Sequence, residues 1–141
     1  MMLPEKLHIK PSKRSPLVLF EPGRLVILGR SIIENPSVFY DPALKWIADP
    51  DRNWQPETRI IFGFEYINTG STKWLYLILR QLAEIRDFCS TGSITWYYEE
   101  GDNDMFELGN MLKPLVECNF NIIELPELNE KVFGSLMAGG R

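Results

Sequence analysis

The stretch RIIFGFEYINTGSTKWLYLILRQLAEIRDF, residues 59–88, decides the fold. Residues 59–67 are apolar on both faces at their start, which is typical of a central β-strand. From about Lys73 to Phe88, apolar residues recur at helical spacing and charged residues lie mostly on the other side. This pattern predicts an amphipathic helix that follows the strand, the first half of a strand–helix–strand unit.

The same alternation extends in both directions from this unit. Short apolar, β-branched or aromatic runs predict strands at 7–9, 93–100 and 120–128, and two apolar runs around Gly23 predict a β-hairpin over 15–29. The strand at 7–9 is short enough to be an edge strand.

Two further helices are predicted. One covers about 38–47, as one helix or as two pieces interrupted at Pro42, and the other covers 105–117, with a kink or an end at Pro114. Strands that alternate with helices predict an α/β fold. We expect a mixed, mostly parallel sheet with an N-terminal β-hairpin, in which the helices are right-handed crossovers between strands.

The length of 141 residues indicates a single domain with its own core. Within it we expect an N-terminal arm at 1–15 with a candidate edge strand, a main domain at 16–128 and a loosely packed tail at 129–141.

The composition excludes several classes of protein. A net charge of −4 and a pI of about 5.1 argue against a nucleic-acid binder that neutralises phosphates, and they give no attraction to an anionic membrane. The N-terminus has no apolar signal core, and the longest apolar run, WLYLIL, is far shorter than the ~20 residues of a membrane span. We therefore predict a cytoplasmic protein without membrane insertion.

The side chains of enzyme chemistry are scarce. His8 is the only histidine and belongs to a predicted strand, which argues strongly against a histidine-based triad. Cys89 and Cys118 form no CxxC pair and read as reduced, half-buried residues. We predict no metal and no other cofactor.

The segment NTGSTK, residues 68–73, gathers Thr69, Ser71 and Thr72 where the strand gives way to the helix. Capping of the helix accounts for one such residue, or for two. The free N–H groups and the dipole of a helix start also suit a phosphate, which Lys73 would help to neutralise. Capping and phosphorylation both stay open on the residues alone, whereas the absence of GxxxxGK[ST] argues against a nucleotide P-loop.

Two other polar stretches are candidate sites. Carboxylates in EEGDNDMFE, residues 99–107, suit Mg²⁺ or Ca²⁺, but an N-cap at Asp102 or Asn103 explains most of them. Near the end of the hairpin, Arg30 is available to an acidic side chain or to a phosphate, and Glu34-Asn35 indicates a turn into a helix.

Taken together, three stretches resemble one family. GRSIIENPSVFYDPALKWI, FEYINTGSTKWLYLIL and ITWYYEEGDNDMFELG occur in this order, and the resemblance to the SiaC-type regulatory phosphoproteins of bacteria runs from about Leu7 to about Leu125. The family usually reads PEN where this chain has IEN, so Ile33 replaces a proline, and Gly70 stands where a serine is common. The tail at 129–141 has no counterpart in the family. These departures bear on which partner is bound.

This resemblance implies a STAS-like single domain, with 16–128 as the SiaC-like part, and a non-catalytic partner-switching function. A serine/threonine kinase phosphorylates one threonine, a phosphatase removes the phosphate, and the unphosphorylated form binds a downstream enzyme such as a diguanylate cyclase. Thr69, after Asn68, corresponds to that threonine, and Ser71 or Thr72 then caps the helix or contacts the phosphate. The remaining residues expected to support the phosphosite or to bind the partner are Gly70, Lys73, Arg30, Glu34, Asn35, Asp102 and Asp104.

Two alternatives remain. One is a Mg²⁺-dependent enzyme that uses the acids Asp102 and Asp104, and the other is a constitutive protein-binding scaffold in which the hydroxyls are only caps.

Overall fold

A computed structural model describes residues 5–138, except for the side chains of Arg86 and Asp87. Its strands are β1 (Leu7–Ile9), β2 (Leu17–Glu21), β3 (Arg24–Ser31), β4 (Arg59–Ile67), β5 (Ser93–Glu99) and β6 (Asn119–Leu125). They form one sheet in which the spatial order equals the chain order. The pairs β1–β2 and β2–β3 are antiparallel, and the three later pairs are parallel. The predicted mixed α/β sheet with an N-terminal hairpin is therefore confirmed.

The helices are α1 (Pro36–Ala48), α2 (Thr69–Ala83), α3 (Arg86–Thr91), α4 (Asn103–Leu112) and α5 (Glu130–Ala138), with a 3-10 turn at Lys113–Leu115. Of the two forms predicted around Pro42, α1 takes the single helix. Pro42 has no backbone N–H, so the carbonyl of Val38 loses its donor within the helix. The helix tolerates this loss because both residues lie on its exposed side. None of the described helices is both long and apolar enough to cross a membrane.

The helix predicted from Lys73 to Phe88 has different limits. It begins four residues earlier, at Thr69, and ends at Ala83. The backbone N–H groups of Glu84 and Ile85 bond back to the carbonyls of residues 81 and 82, and the chain is then extended at Ile85 before α3. Apolar spacing continues through this break because α3 returns to the same core. The structure therefore places Thr69 in the first turn of α2.

One face of the sheet carries α1, α2, α3 and α4, whose buried side chains join a single apolar cluster. Parallel strands in chain order, connected by crossovers of one hand, place every crossover helix on the same side. Trp96 lies at the centre, with its ring 5.8 Å from the rings of both Phe62 and Phe64, and its indole N–H donates to the Met105 carbonyl at 2.9 Å. Gly109 lets α4 approach, since a Cβ there would lie 2.7 Å from the indole.

The other face of the sheet is covered from residue 128 onward. Val26, Leu28 and Ile61 pack there with Leu128 and with Phe133 of α5. The prediction of a loosely packed tail is therefore wrong for residues 130–138, and residues 139–141 lie outside the described part. The helix is not evident from the sequence because it has only 9 residues, and the surface that it covers is created by distant strands.

Candidate functional site

The polar stretches predicted as sites follow neighbouring strands at one end of the sheet. β3 leads into the loop with Glu34, β4 leads into Asn68, and β5 leads into Asp102. Because these three strands are adjacent and parallel, their carboxyl ends meet at the same sheet edge, the usual position of sites in such folds.

The first two of these stretches contact each other. The Asn68 side chain donates from Nδ2 to the Ile33 carbonyl at 3.1 Å, and the Asn68 backbone N–H donates to the Ser31 carbonyl at 2.9 Å. A Cβ added at Gly70 would lie 3.4 Å from Pro36 Cγ, which is ordinary packing contact. The loop before α1 and the start of α2 therefore form one structural unit.

The three hydroxyls of the NTGSTK segment have different surroundings. Asn68 is the cap of α2, since its Oδ1 accepts from the Ser71 backbone N–H at 2.9 Å. The Thr72 hydroxyl donates to the Asn68 carbonyl at 3.2 Å, and Ser71 is fully buried with no hydrogen-bond partner for its hydroxyl among the described residues. The side-chain cap expected from Ser71 or Thr72 is thus supplied by Asn68, and the alternative, that one of the two hydroxyls contacts the phosphate, stays a prediction. Thr69 is the exposed member of the three.

Replacing Asn68 with alanine is expected to lower the free energy of unfolding by about 1–3 kcal/mol. The substitution removes a helix cap, which contributes about 1 kcal/mol, and a hydrogen bond to Ile33 of similar size. Urea denaturation followed by circular dichroism measures the change. Asn110→Ala is the matched control, because its amide is exposed and, within residues 5–138, its side chain bonds only the Phe106 carbonyl of the same helix. Equal losses in the two variants would contradict a joining role for Asn68.

A cationic stripe extends from Thr69 along the exposed side of α2. Lys73, Tyr76 and Arg80 follow at helical spacing, and all four side chains are exposed. The Arg80 guanidinium lies 5.9 Å from the centre of the Tyr76 ring. Sequence reasoning missed Tyr76 and Arg80, although their helical spacing from Thr69 and Lys73 indicates that all four share one side of the helix.

Arg30 has an acidic partner. Its Nε lies 3.7 Å from Glu65 Oε2, and both side chains line a cleft beside α5. The structure thus pairs Arg30 with Glu65. The cleft that both side chains line is on the sheet face opposite α2. A phosphate-supporting role for Arg30 stays a prediction that these contacts do not favour.

A buried hydrogen bond joins the start of the loop before α1 to that helix. The hydroxyls of Ser31 and Tyr40 are 2.6 Å apart, and burial raises the pKa of Tyr40 to about 12, so that this phenol stays neutral. Glu34 is exposed. Asn35 precedes α1 without capping it, and its Oδ1 accepts from the Ser37 hydroxyl at 2.7 Å.

The acids at the end of β5 and in the first turn of α4 have positions that the fold explains. Asp102 caps α4, since its side chain accepts from the Met105 backbone N–H at 3.1 Å. Of the two residues predicted as caps, Asp102 and Asn103, the structure uses Asp102. Asp104 lies exposed in the first turn, where the helix dipole favours a carboxylate. Glu99 accepts from the Leu128 backbone N–H at 3.1 Å. Among the described residues, no three His, Cys, Asp or Glu side chains lie close enough together to hold a metal ion.

The remaining reactive side chains lie elsewhere. His8 belongs to the edge strand β1. Cys89 and Cys118 are free and partly buried, and burial raises the pKa of both thiols, to about 12 for Cys118. Thiols with raised pKa values are poor nucleophiles at neutral pH.

One family model matches most of the chain. Residues 9–125 match the family described as SiaC family regulatory phosphoprotein. An uncharacterized protein of Pseudomonas aeruginosa strain UCBPP-PA14 is 27% identical over 120 residues, which cover 81% of this chain and 90% of that protein.

Solved structures share the fold. SiaC of Pseudomonas aeruginosa superposes with a TM-score of 0.74 at 24% identity, covering 85% of this chain and 98% of that one. A second structure, of diguanylate cyclase SiaD in complex with its activator SiaC from the same species, gives a TM-score of 0.70 at 24% identity, over 84% of this chain and 99% of the matched chain.

Proposed function

Because the chain belongs to the SiaC family of regulatory phosphoproteins, we propose that it binds a partner enzyme while Thr69 is unphosphorylated and releases it when Thr69 carries a phosphate. The protein acts by binding and catalyses no reaction itself. The partner is a diguanylate cyclase, by similarity to the SiaC that forms a complex with the cyclase SiaD. A serine/threonine kinase and a phosphatase set the state of Thr69, and the cycle takes place in the cytoplasm.

The observation that carries this proposal is the difference among the three hydroxyls. Thr69 is exposed at the first residue of α2, whereas Ser71 is fully buried and Thr72 donates to the Asn68 carbonyl. A kinase needs an accessible hydroxyl to which it transfers the terminal phosphoryl group of ATP, with loss of the hydroxyl proton. Thr69 meets that need without unfolding of α2.

The folded chain accommodates a phosphate at this position. Phosphorylation adds about −1.5 to −2 charges, and the helix N-terminus is the electropositive end of α2. Lys73 lies one turn further on and is exposed. The modification therefore changes the surface while leaving the fold in place.

The phosphate opposes the binding of a partner that covers this surface. Binding would have to remove water from a dianion, and any acidic group of the partner would repel it. The surface itself suits a protein, because Tyr76 and Arg80 are residue types that often dominate interface energies. We assign the partner contact to Thr69, Lys73, Tyr76 and Arg80, together with the loop at 33–36.

The test compares two forms of the wild-type chain. Protein purified from its native cells is separated into phosphorylated and unphosphorylated fractions, the phosphate is mapped by tandem mass spectrometry, and the affinity of each fraction for the co-purifying cyclase is measured. We expect the phosphate on Thr69 and binding weakened by at least about thirtyfold, since an unpaired charge buried at an interface costs about 2–5 kcal/mol. Equal affinities would instead identify a constitutive scaffold.

A further inference from the structure

A cleft of about 910 Å³ lies between α5, the second sheet face and residues 11–13. Its floor is apolar and is formed by Leu17 and Leu28 of the sheet with Phe133 and Met137 of α5. The volume is in the range of small-molecule sites, and an apolar floor with a few polar groups at the rim is the usual composition of such sites. This cleft lies on the opposite face of the sheet from α2.

The segment from Leu128 to the last turn of α5 forms one wall of the cleft, and both of its ends are attached to the sheet. The Arg24 guanidinium, held by Glu21 at 2.8 Å, donates to the Met137 carbonyl at 2.9 Å in the last turn of α5. Before α5, the Leu128 backbone N–H donates to Glu99. These bonds hold the wall of the cleft at a defined distance from the floor.

Gly134 in α5 keeps the cleft open. Glycine inside a helix costs about 1 kcal/mol relative to alanine. Close packing does not account for this glycine, since a Cβ at this position would meet no atom within 4 Å. Gly134 instead lines the cleft, where any larger side chain would reduce its volume.

The charged groups at the rim leave an excess of positive charge. Arg30 is paired with Glu65, while Lys13 and Lys131 have no ion pair among the described residues. Glu130 is the other acid at the rim. A ligand with a single negative group would therefore be attracted to this rim, whereas a second negative group would face Glu130 and Glu65.

We propose that this cleft binds a small molecule that combines an apolar body with one anionic group, a carboxylate, sulfonate or phosphate. The apolar body lies on the floor between Leu28 and Phe133, and the anionic group lies near Lys13 and Lys131. The proposal does not depend on phosphorylation of Thr69 or on the identity of the partner enzyme.

Two dyes with the same ring system test it. Anilinonaphthalene sulfonate carries one anionic group, and phenylnaphthylamine has the same rings without it. We expect the sulfonate to bind the folded chain in a ratio of one per chain, with enhanced fluorescence, and more tightly than the neutral dye. Circular dichroism in the same solution verifies that the chain is folded, because the sulfonate also binds partly folded states.

Two substitutions locate the dye. Gly134→Leu should weaken binding of both dyes by at least about tenfold, a loss of 1.4 kcal/mol, and should not lower the melting temperature, because leucine favours the helix. Gly134→Ala is the matched control with the smallest added side chain. The double variant Lys13→Glu, Lys131→Glu should weaken the sulfonate by at least about threefold and leave the neutral dye unchanged.

Undiminished binding of both dyes to Gly134→Leu would overturn the proposal, as would a sulfonate that binds no better than the neutral dye. Should Gly134→Leu fail to fold, the charge-reversal variant decides alone, since both lysines are exposed and their replacement leaves the core intact. The proposal would also be contradicted if the charge-reversal variant lost affinity equally for both dyes, or if it lost affinity for neither.

Discussion

Replacing Thr69 with glutamate is expected to weaken binding of the partner enzyme by about tenfold or more, since it leaves a single charge at the interface where phosphate leaves nearly two. The stability of the chain should not fall. A carboxylate in the first turn of a helix stabilises it by about 0.3–1 kcal/mol, and the cap of α2 is supplied by Asn68. A variant that binds worse yet unfolds no more easily separates the interface effect from misfolding. Calorimetric titration and urea denaturation measure the two quantities.

The controls for this prediction use the same chain. Thr69→Ala should bind like the unphosphorylated protein and lose little stability, because the Thr69 hydroxyl does not cap the helix. Ser135→Glu adds the same charge on the exposed side of α5, on the opposite sheet face, and should leave binding unchanged. If Thr69→Glu binds as tightly as Ser135→Glu, then Thr69 lies outside the interface.

Replacing Phe133 with aspartate is expected to detach α5 and to lower the free energy of unfolding by about 3 kcal/mol. The phenylalanine is only 8% exposed, and a carboxylate cannot replace it on the apolar surface of Val26, Leu28 and Ile61. Detachment leaves that surface in contact with water, so the variant should also self-associate. Urea denaturation measures the loss of stability, and sedimentation velocity measures the association.

Ser135→Asp is the control for Phe133→Asp, since it places the same group on the exposed side of the same helix. It should change stability by no more than about 0.5 kcal/mol and should stay monodisperse. Partner binding through Thr69 should survive in both variants at concentrations where they remain monomeric. An unchanged stability in Phe133→Asp would mean that α5 contributes nothing to the fold.

The sheet is predictable from the sequence because its pattern is local. The apolar run of β4, the aromatic run of β5 and the turn at Gly23 each indicate their own structure, and alternation with helices implies parallel neighbours. The cap at Asp102 is also a local feature, because aspartate is a preferred cap and this residue directly precedes the amphipathic run of α4.

Other features depend on contacts between distant residues. The start of α2 at Thr69 requires Asn68 to cap it, and the Asn68 side chain is oriented by the Ile33 carbonyl, thirty-five positions away along the chain. Burial of Ser71 and pairing of Arg30 with Glu65 depend likewise on packing that no local pattern records. α5 is missed because its partner surface exists only once the helices have gathered on one side of the sheet.

The coincidence of spatial and chain order has a consequence during synthesis. Each strand that leaves the ribosome finds its neighbour already made, so the sheet grows from β1 to β6 at one advancing edge, with no gap to be filled later. The sheet face that carries Val26 and Ile61, in contrast, receives its cover from residues 128–138, which are synthesised after all six strands. That apolar surface therefore stays uncovered throughout synthesis of the sheet, which is the interval in which a chaperone would bind it.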